Sequence, residues 1–432
     1  MSAWPSKVGV RDDAFPLIHL TMAFESSPVF DPPGKEGLSC LTNRLMCRGT
    51  HALRHAELSE AIEALGTELI TSTQRNAVTV GGTVLARHIE DYLALLGDVF
   101  TQPRFDPNEL EKVRREIISE HGLLLDDDNQ LARHWLRAGV FGGTKPANAA
   151  IGKVSSVVDL SMDDVTAWHS ENYVQRRLSI GTSGPIESDI FLENLDGLIS
   201  RIPVGETRQW PTRTRTPKQG RRVILVDKPS RAQSQILVGH SIGITNETDL
   251  FRLKLATSSF GGTFTSRLMQ EIRVKRGLSY GAYAWVNQDR CSGLYLLGAS
   301  TDSERMGETL EILLGEFELF ANRGLSNDEL HFARTHLLNG FPFTIETAAQ
   351  EAANRLRTRL LGLPTGHLER WHSFLAETDI DEVNQVVRAH LRPADCNVVI
   401  VCTVSPDLIK QVNALAGVTD VQTVSHKHHL DL

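Results

Sequence analysis

The sequence predicts an α+β protein made twice over: two homologous domains, each a mainly antiparallel sheet with helices packed on one face. Three observations predict it. A chain of 432 residues is too long for one ordinary core, so two domains of roughly 200 residues each are expected. Segments far apart in the chain echo one another at a nearly constant offset. In each half, strand-like runs come first and helix-like runs follow, the order of an α+β layer.

The echoes locate the elements. Asn108-Glu-Leu-Glu-Lys-Val-Arg114 returns as Asp328-Glu-Leu-His-Phe-Ala-Arg334, which pairs Leu110 with Leu330 and Arg114 with Arg334. Asp164–Trp168 returns as Glu382–Val386. Each of these amphipathic segments leads into an apolar strand, 178–182 in the first copy and 397–401 in the second. Earlier in each half, strand-like 17–24 corresponds to 235–240, and helix-like 36–46 to 249–260. Polar, proline-punctuated chain without periodicity separates the copies, as a linker should. The expected organisation is an N-terminal domain at 1–203, a linker at 204–222 and a C-terminal domain at 223–432.

Composition narrows the function classes. A formal net charge of -8, with no basic stripe interleaved with aromatics, argues against a nucleic-acid partner. No apolar run is long enough to span a bilayer. Met1–Lys7 lacks the apolar core of a signal peptide, so the cytoplasm is expected, or the periplasm where a signal has been removed. Cys40, Cys47, Cys291, Cys396 and Cys402 are scattered and never paired as CxxC, which fits neither a disulfide framework nor a cysteine zinc site.

The segment richest in chemistry runs from Phe260 to Tyr283. A Gly261-Gly262 turn leads into a helical run with Leu268 and Ile272 on one face; Gly277 stops it, and 279–286 alternates like a strand. Arg273 near the helix end and Tyr280 at the strand start can converge across the turn. A guanidinium can hold a carbonyl or carboxylate, and a phenol can donate to an oxyanion. The same residues also read as a solvated basic helix end, with Arg273, Lys275 and Arg276 complementing the macrodipole.

This block, with its lead-in Gly261-Gly-Thr-Phe-Thr-Ser-Arg-Leu268 and with six residues between Arg273 and Tyr280, resembles the second domain of the pitrilysin, insulinase and mitochondrial-processing-peptidase family of zinc peptidases. The resemblance covers nearly the whole chain, because that family is itself two duplicated α+β domains joined by a linker. It implies catalytic roles for Arg273, gripping a substrate carbonyl, and Tyr280, stabilising a tetrahedral intermediate. It also implies substrate contacts at Gly261, Gly262, Thr263 and Phe264.

The family's zinc signature, HxxEH, belongs in the first half, where Gly34–Thr50 resembles the surrounding helix. Cys40 and Arg44 stand where the two histidines belong, and Asn43 where the general-base glutamate belongs. The downstream ligand position falls on Glu120 or His121 according to register. An arginine cannot shed its proton to bind zinc, and a catalytic site needs about three protein ligands and an open position. No metal is therefore expected in this chain. The resemblance implies a heterodimer in which a homologous HxxEH partner carries the zinc and unfolded peptides are the substrate. A pseudo-peptidase scaffold and a peptide-binding clamp are the alternatives.

Other motifs are weaker. His51 and His55 are spaced to share a helix face but have no glutamate suitably between them. The His426–His429 tail reads as a frayed terminus. Gly277-Leu-Ser-Tyr-Gly281 spells GxSxG, but in helix-to-strand order, the reverse of a nucleophile elbow. Gly261-Gly262 lacks the lysine of a phosphate loop. Cys40 has no activating base near it in sequence, and Asp126–Asp128 reads as a helix boundary.

Overall fold

The protein is described by a computed structural model covering residues 5–147, 149–211, 219–244 and 246–431. It divides into two compact units. The first takes the described residues of Met1–His121, Asn148–Trp210 and Pro342–Thr365; the second takes those of Gly122–Ala147, Pro211–Phe341 and Gly366–Leu432. The division follows the two sequence copies except that each unit takes a piece of the other half.

In the first unit, β1 (Ser6–Arg11), β2 (Leu17–Phe24), β3 (Ile70–Thr73), β4 (Val78–Leu85) and β5 (Leu178–Gly184) form one sheet in the order β1-β5-β2-β4-β3. Only β1 runs parallel to its neighbour. In the second unit, β6 (Arg221–Asp227), β7 (Gln233–Ser241), β8 (Ala282–Gln288), β9 (Gly293–Asp302), β10 (Asn397–Cys402) and β11 (Val418–Ser425) are ordered β11-β6-β10-β7-β9-β8. There β11, β6 and β10 are mutually parallel and the rest antiparallel. The expected mainly antiparallel α+β layers are present, with parallel pairing confined to one side of each sheet. β5 and β10 are buried at every residue; this explains why β10 reads as a nearly continuous apolar run, whereas β5 buries Ser179, Thr182 and Ser183 along with Leu178 and Ile180.

The repeat extends to bond level. The helices Pro107–Leu124 and Asn327–Thr344 are both 18 residues long and start at equivalent positions. Arg114 donates from Nη2 to the Leu160 carbonyl at 2.6 Å, and its counterpart Arg334 donates to the equivalent carbonyl, that of Thr378. The exchanged pieces are themselves repeat equivalents. Helix Asp128–Phe141 packs Leu131, Leu136 and Trp135 into the second unit's core with Leu237, Val399 and Val401. Helix Ala348–Leu360 packs Leu356 and Leu360 against Ala23 and Ala77 in the first. Gly181 makes room for it, since a Cβ there would meet Leu356 Cδ2 at 3.0 Å.

Several expectations shift. The strand expected from Ser279 begins at Ala282, because the Ser279 hydroxyl holds residues 279–281 as a loop; it accepts from Gly281 N at 3.1 Å and donates to Gly281 O at 2.8 Å. β1, β11 and the start of β6 inside the expected linker were not anticipated; β1 and β11 are edge strands that bury little. Residues 212–218 of that linker lie outside the described residues. The tail is not frayed through Asp431: His426–Asp431 forms a 3-10 turn, and His426 Nδ1 lies 2.9 Å from the Asp227 carbonyl.

Candidate functional site

In the second unit the chain from Ser258 to Gly281 holds Arg273 and Tyr280 at one surface. Two π-helical turns, Ser258–Gly262 and Met269–Val274, replace the regular helix read from the sequence. Such turns take one more residue per hydrogen-bonded ring than an α-helix and recur at functional sites. Leu268 and Ile272 are fully buried, as their spacing predicts. Gly277, at φ 58°, ends the run by donating from its amide to the Arg273 carbonyl. The next residue, Leu278, is locked from both sides: its amide donates to Ile272 O at 2.9 Å, and its carbonyl accepts from Thr301 Oγ1 at 2.7 Å.

This frame pushes the Tyr280 side chain outward, where it is 88% exposed. Arg273 Nη1 donates to the Tyr280 backbone carbonyl at 3.0 Å, and its guanidinium carbon lies 4.8 Å from the Phe264 ring centroid. A cation over an aromatic face is attracted by the ring quadrupole. Phe264 is itself 61% exposed. The donor-rich guanidinium and the free phenol thus open on the same surface, the arrangement needed to hold a carbonyl and donate to an oxyanion.

The lead-in residues divide by role. Gly261 is buried against β8, where a Cβ would come within 2.4 Å of Ala284 N, so its place is in packing. Gly262 and Thr263 lie at the surface beside Phe264. Arg267, which the sequence reading did not single out, anchors the segment. It forks onto Glu329 at 2.9 and 2.7 Å and donates to the Gly324 carbonyl at 2.9 Å.

In the first unit, helix Leu38–Met46 carries the degenerate zinc positions. Gly37, with φ 104°, starts it, and the Asp31 carboxylate supplies the cap by accepting from Gly37 N at 2.8 Å and Ser39 N at 3.0 Å. Burial pushes the Asp31 carboxyl up to about 7 despite these bonds. Asn43 is fully buried, and its amide donates to the Ser72 carbonyl at 3.3 Å. Arg44 forks onto Glu120 at 2.6 and 2.8 Å, and Arg48 reaches Glu116 at 2.6 Å. Of the two residues offered for the downstream ligand position, Glu120 is therefore the one that meets Arg44; His121 is buried. A cavity of about 550 Å³ lies beside this ladder, with Arg44, Arg48, Glu116 and Glu120 in its wall.

These residues do not fit a zinc ion. A permanent cation sits at one ligand position and occupies both oxygens of the carboxylate at another. Among the described residues, no three His, Cys, Asp or Glu side chains are grouped to hold a metal. Cys40 is fully buried, and burial raises its thiol pKa while Arg44 partly opposes the rise; it is no activated nucleophile.

The weaker motifs resolve into structure. His51 precedes the helix that begins at His55, so the two do not share a helix face, and His55 Nε2 lies 3.1 Å from Arg48 Nη1. Ser279 is engaged with backbone and forms no nucleophile elbow. Asp127 caps helix Asp128–Phe141, and Asp128 pairs with Lys228 at 2.5 Å. No helix among the described residues is long and apolar enough to cross a membrane.

Residues 22–151 match the model for insulinase (peptidase family M16), and residues 159–337 match the model for the peptidase M16 inactive domain. The chain is 24% identical over 399 residues to "Non-peptidase homolog YmxG" of Helicobacter pylori, covering 91% of this chain and 90% of that one. It is 20% identical over 358 residues to "Uncharacterized zinc protease YmxG" of Bacillus subtilis, covering 83% of this chain and 86% of that one. A crystal structure of a peptidase M16 inactive domain from Pseudomonas fluorescens superposes with a TM-score of 0.84 over 98% of both chains at 19% identity, a likeness of fold.

Proposed function

Because the chain belongs to the M16 (insulinase) peptidase family and its own zinc positions are replaced, we propose that it is the non-metal subunit of a heterodimeric metallopeptidase. On this reading the metal and its activated water belong to a homologous HxxEH partner, and this chain contributes Arg273 and Tyr280 in trans. The observation that carries the reading is the presentation of the pair: Tyr280 is 88% exposed on a rigidly bonded loop, and Arg273 is oriented by Phe264 and by the Tyr280 carbonyl. Among the described residues the Tyr280 phenol has no hydrogen-bond partner, and Arg273 meets only the Tyr280 carbonyl and the Phe264 ring. Tyr280 donates to the developing oxyanion of a bound peptide, and Arg273 holds a neighbouring carbonyl. Removing one such donor typically costs about 3–4 kcal/mol in the transition state. Gly262, Thr263 and Phe264 line the approach. All five cysteines are free thiols, which suits the cytoplasm.

The test is co-purification from the native host, with metal analysis of the complex and of this chain separately. The proposal expects an HxxEH homologue to co-purify, zinc to follow that homologue, and cleavage of unfolded peptides to require both chains.

A second reading, a scaffold or peptide clamp without hydrolysis, is favoured by the replaced zinc positions and by the "non-peptidase" description of the Helicobacter pylori relative. Peptide binding by a complex that never cleaves would select the clamp, and assembly without peptide binding would select the scaffold.

A further inference from the structure

We infer that Arg267 is a positioning residue for the Arg273–Tyr280 pair, acting through a fork onto Glu329 that the equivalent carboxylate of the first repeat does not make. The inference rests on the in-trans role proposed above and names what sets the geometry of the pair. Arg267 stands two residues before the π-helical turn Met269–Val274. Its Nε and Nη2 donate to Glu329 Oε1 and Oε2 at 2.9 and 2.7 Å, and Nη2 also donates to the Gly324 carbonyl at 2.9 Å. Its guanidinium carbon lies 5.6 Å from the Phe320 ring centroid, and Phe320 stacks on Phe260 with centroids 4.1 Å apart. Phe320 and Gly324 close helix Met306–Arg323, whose other end holds the far side of the segment. There Arg305 donates to the Gly277 and Arg276 carbonyls, each at 3.4 Å. Buried Thr309 Oγ1 lies 3.0 Å from Thr301 Oγ1, which donates to the Leu278 carbonyl at 2.7 Å. One helix therefore clamps the segment at both ends. Arg273 lies between the clamps, and Tyr280 lies two residues past the second.

The repeat shows that this fork is more than shared packing. Glu329 and Glu109 are one position in two copies, each directly before the paired leucine, Leu330 or Leu110. Glu109 is buried, yet its Oε1 accepts from Lys112 Nζ of its own helix at 2.6 Å, and its Oε2 has no hydrogen-bond partner among the described residues. Glu329 has both oxygens filled, Oε2 accepting from Ser326 N at 2.8 Å as well as from Arg267. A device of the common fold would be needed in both copies. The carboxylate is present in both, and the fork is made in the copy that carries the exposed pair. A bidentate arginine–carboxylate contact fixes orientation as well as distance, and a displacement of about 1 Å at a catalytic donor can cost roughly 10²-fold in rate. Arg267 and Glu329 touch no substrate; they act through the segment they hold.

The experiment is a mutant cycle in the full-length chain paired with its co-purified HxxEH partner, read by kcat on an unfolded peptide and by hydrogen exchange. Arg267→Ala is expected to lower kcat roughly tenfold or more with assembly unchanged. It should also strip protection from residues 270–278, where the Gly277 and Leu278 amides bond back to the Arg273 and Ile272 carbonyls, while β10 keeps its protection. In an Arg273→Ala/Tyr280→Phe background the same substitution should change kcat by less than about twofold, because the pair it serves is gone. A general loss of fold would slow both backgrounds alike. Glu109→Gln, at the equivalent position of the first repeat, should leave both readouts at wild-type values. Where Arg267→Ala does not fold, Glu329→Gln, which keeps the shape of the side chain, takes its place and reads the same losses. Equal losses of kcat in the two backgrounds, or unchanged protection at 270–278, would overturn the inference. So would a wild-type rate with Arg267→Ala beside a slow Arg273→Ala/Tyr280→Phe chain, and in that case the in-trans reading stands. Full cleavage by the Arg273→Ala/Tyr280→Phe chain would overturn both.

Discussion

Arg273 donates from Nη1 to the backbone carbonyl of Tyr280 at 3.0 Å, so the two residues are coupled through the main chain and the Tyr280 phenol remains uncommitted. The loop that carries the phenol also fixes the guanidinium. A change at either end is felt in the geometry of the pair.

Arg273→Ala should therefore leave the fold nearly untouched, within about 0.5 kcal/mol of wild type by chemical denaturation, because its contacts are at the surface. In the reconstituted peptidase it should reduce kcat/KM about tenfold or more. Arg273→Lys should not restore it, since an ammonium has neither the planar fork nor the stacking face that Phe264 meets. Steady-state kinetics of the two variants beside wild type makes the comparison.

Ser279→Ala tests the loop. The hydroxyl accepts from Gly281 N and has the Gly281 and Ser300 carbonyls as acceptors for its one proton, so its loss should cost about 1 kcal/mol of stability and should lower activity without touching substrate. A serine-directed phosphonate should label neither the wild-type chain nor the variant, because Ser279 lies on no nucleophile elbow. Mass spectrometry after probe treatment checks the second point.

A pH dependence follows from Asp31. Burial raises its carboxyl from the ordinary 3.8 to about 7 in the folded chain. A raised carboxyl favours the folded state while it is protonated there, so that contribution is largest at low pH and is lost as pH rises through about 7. Asp31→Asn removes it. The stability of wild type relative to Asp31→Asn should fall between about pH 4 and about pH 7, read from denaturation midpoints; a difference that stays flat contradicts the assignment.

Leu356 tests the helix exchange. It is buried beside Gly181, Ala23 and Ala77 in the first unit although it comes from the second sequence half. Leu356→Ala should cost about 2–5 kcal/mol, and hydrogen exchange should show the loss of protection in β5 rather than in β10.

What was legible in the sequence follows from where the physics is local. Runs such as Val398–Val401 read as strands because a sheet covered on both faces leaves nothing polar along them. The repeat was legible because equivalent helices keep equivalent anchors, Arg114 and Arg334 each reaching a carbonyl at the same place in its own copy. The helix exchange was not, since the apolar stripe of Ala348–Leu360 carries no mark of which sheet it covers. Nor were β1 and β11, short edge strands whose residues alternate weakly. At the candidate site the residue types were readable and the geometry was not. Spacing could not distinguish Glu120 from His121 as the residue facing position 44, nor foresee the π-helical turn at Arg273. Arg267 could have been found from its place beside Phe264 and Leu268, but its partner Glu329 is distant in sequence.

The most direct test of an in-trans role is single-turnover cleavage of an unfolded peptide by the reconstituted pair, with this chain as wild type or Tyr280→Phe. The proposal predicts unchanged assembly and a cleavage rate lowered about tenfold or more, because the phenol is exposed and its hydroxyl donor acts only as charge develops. An unchanged rate with Tyr280→Phe would contradict it.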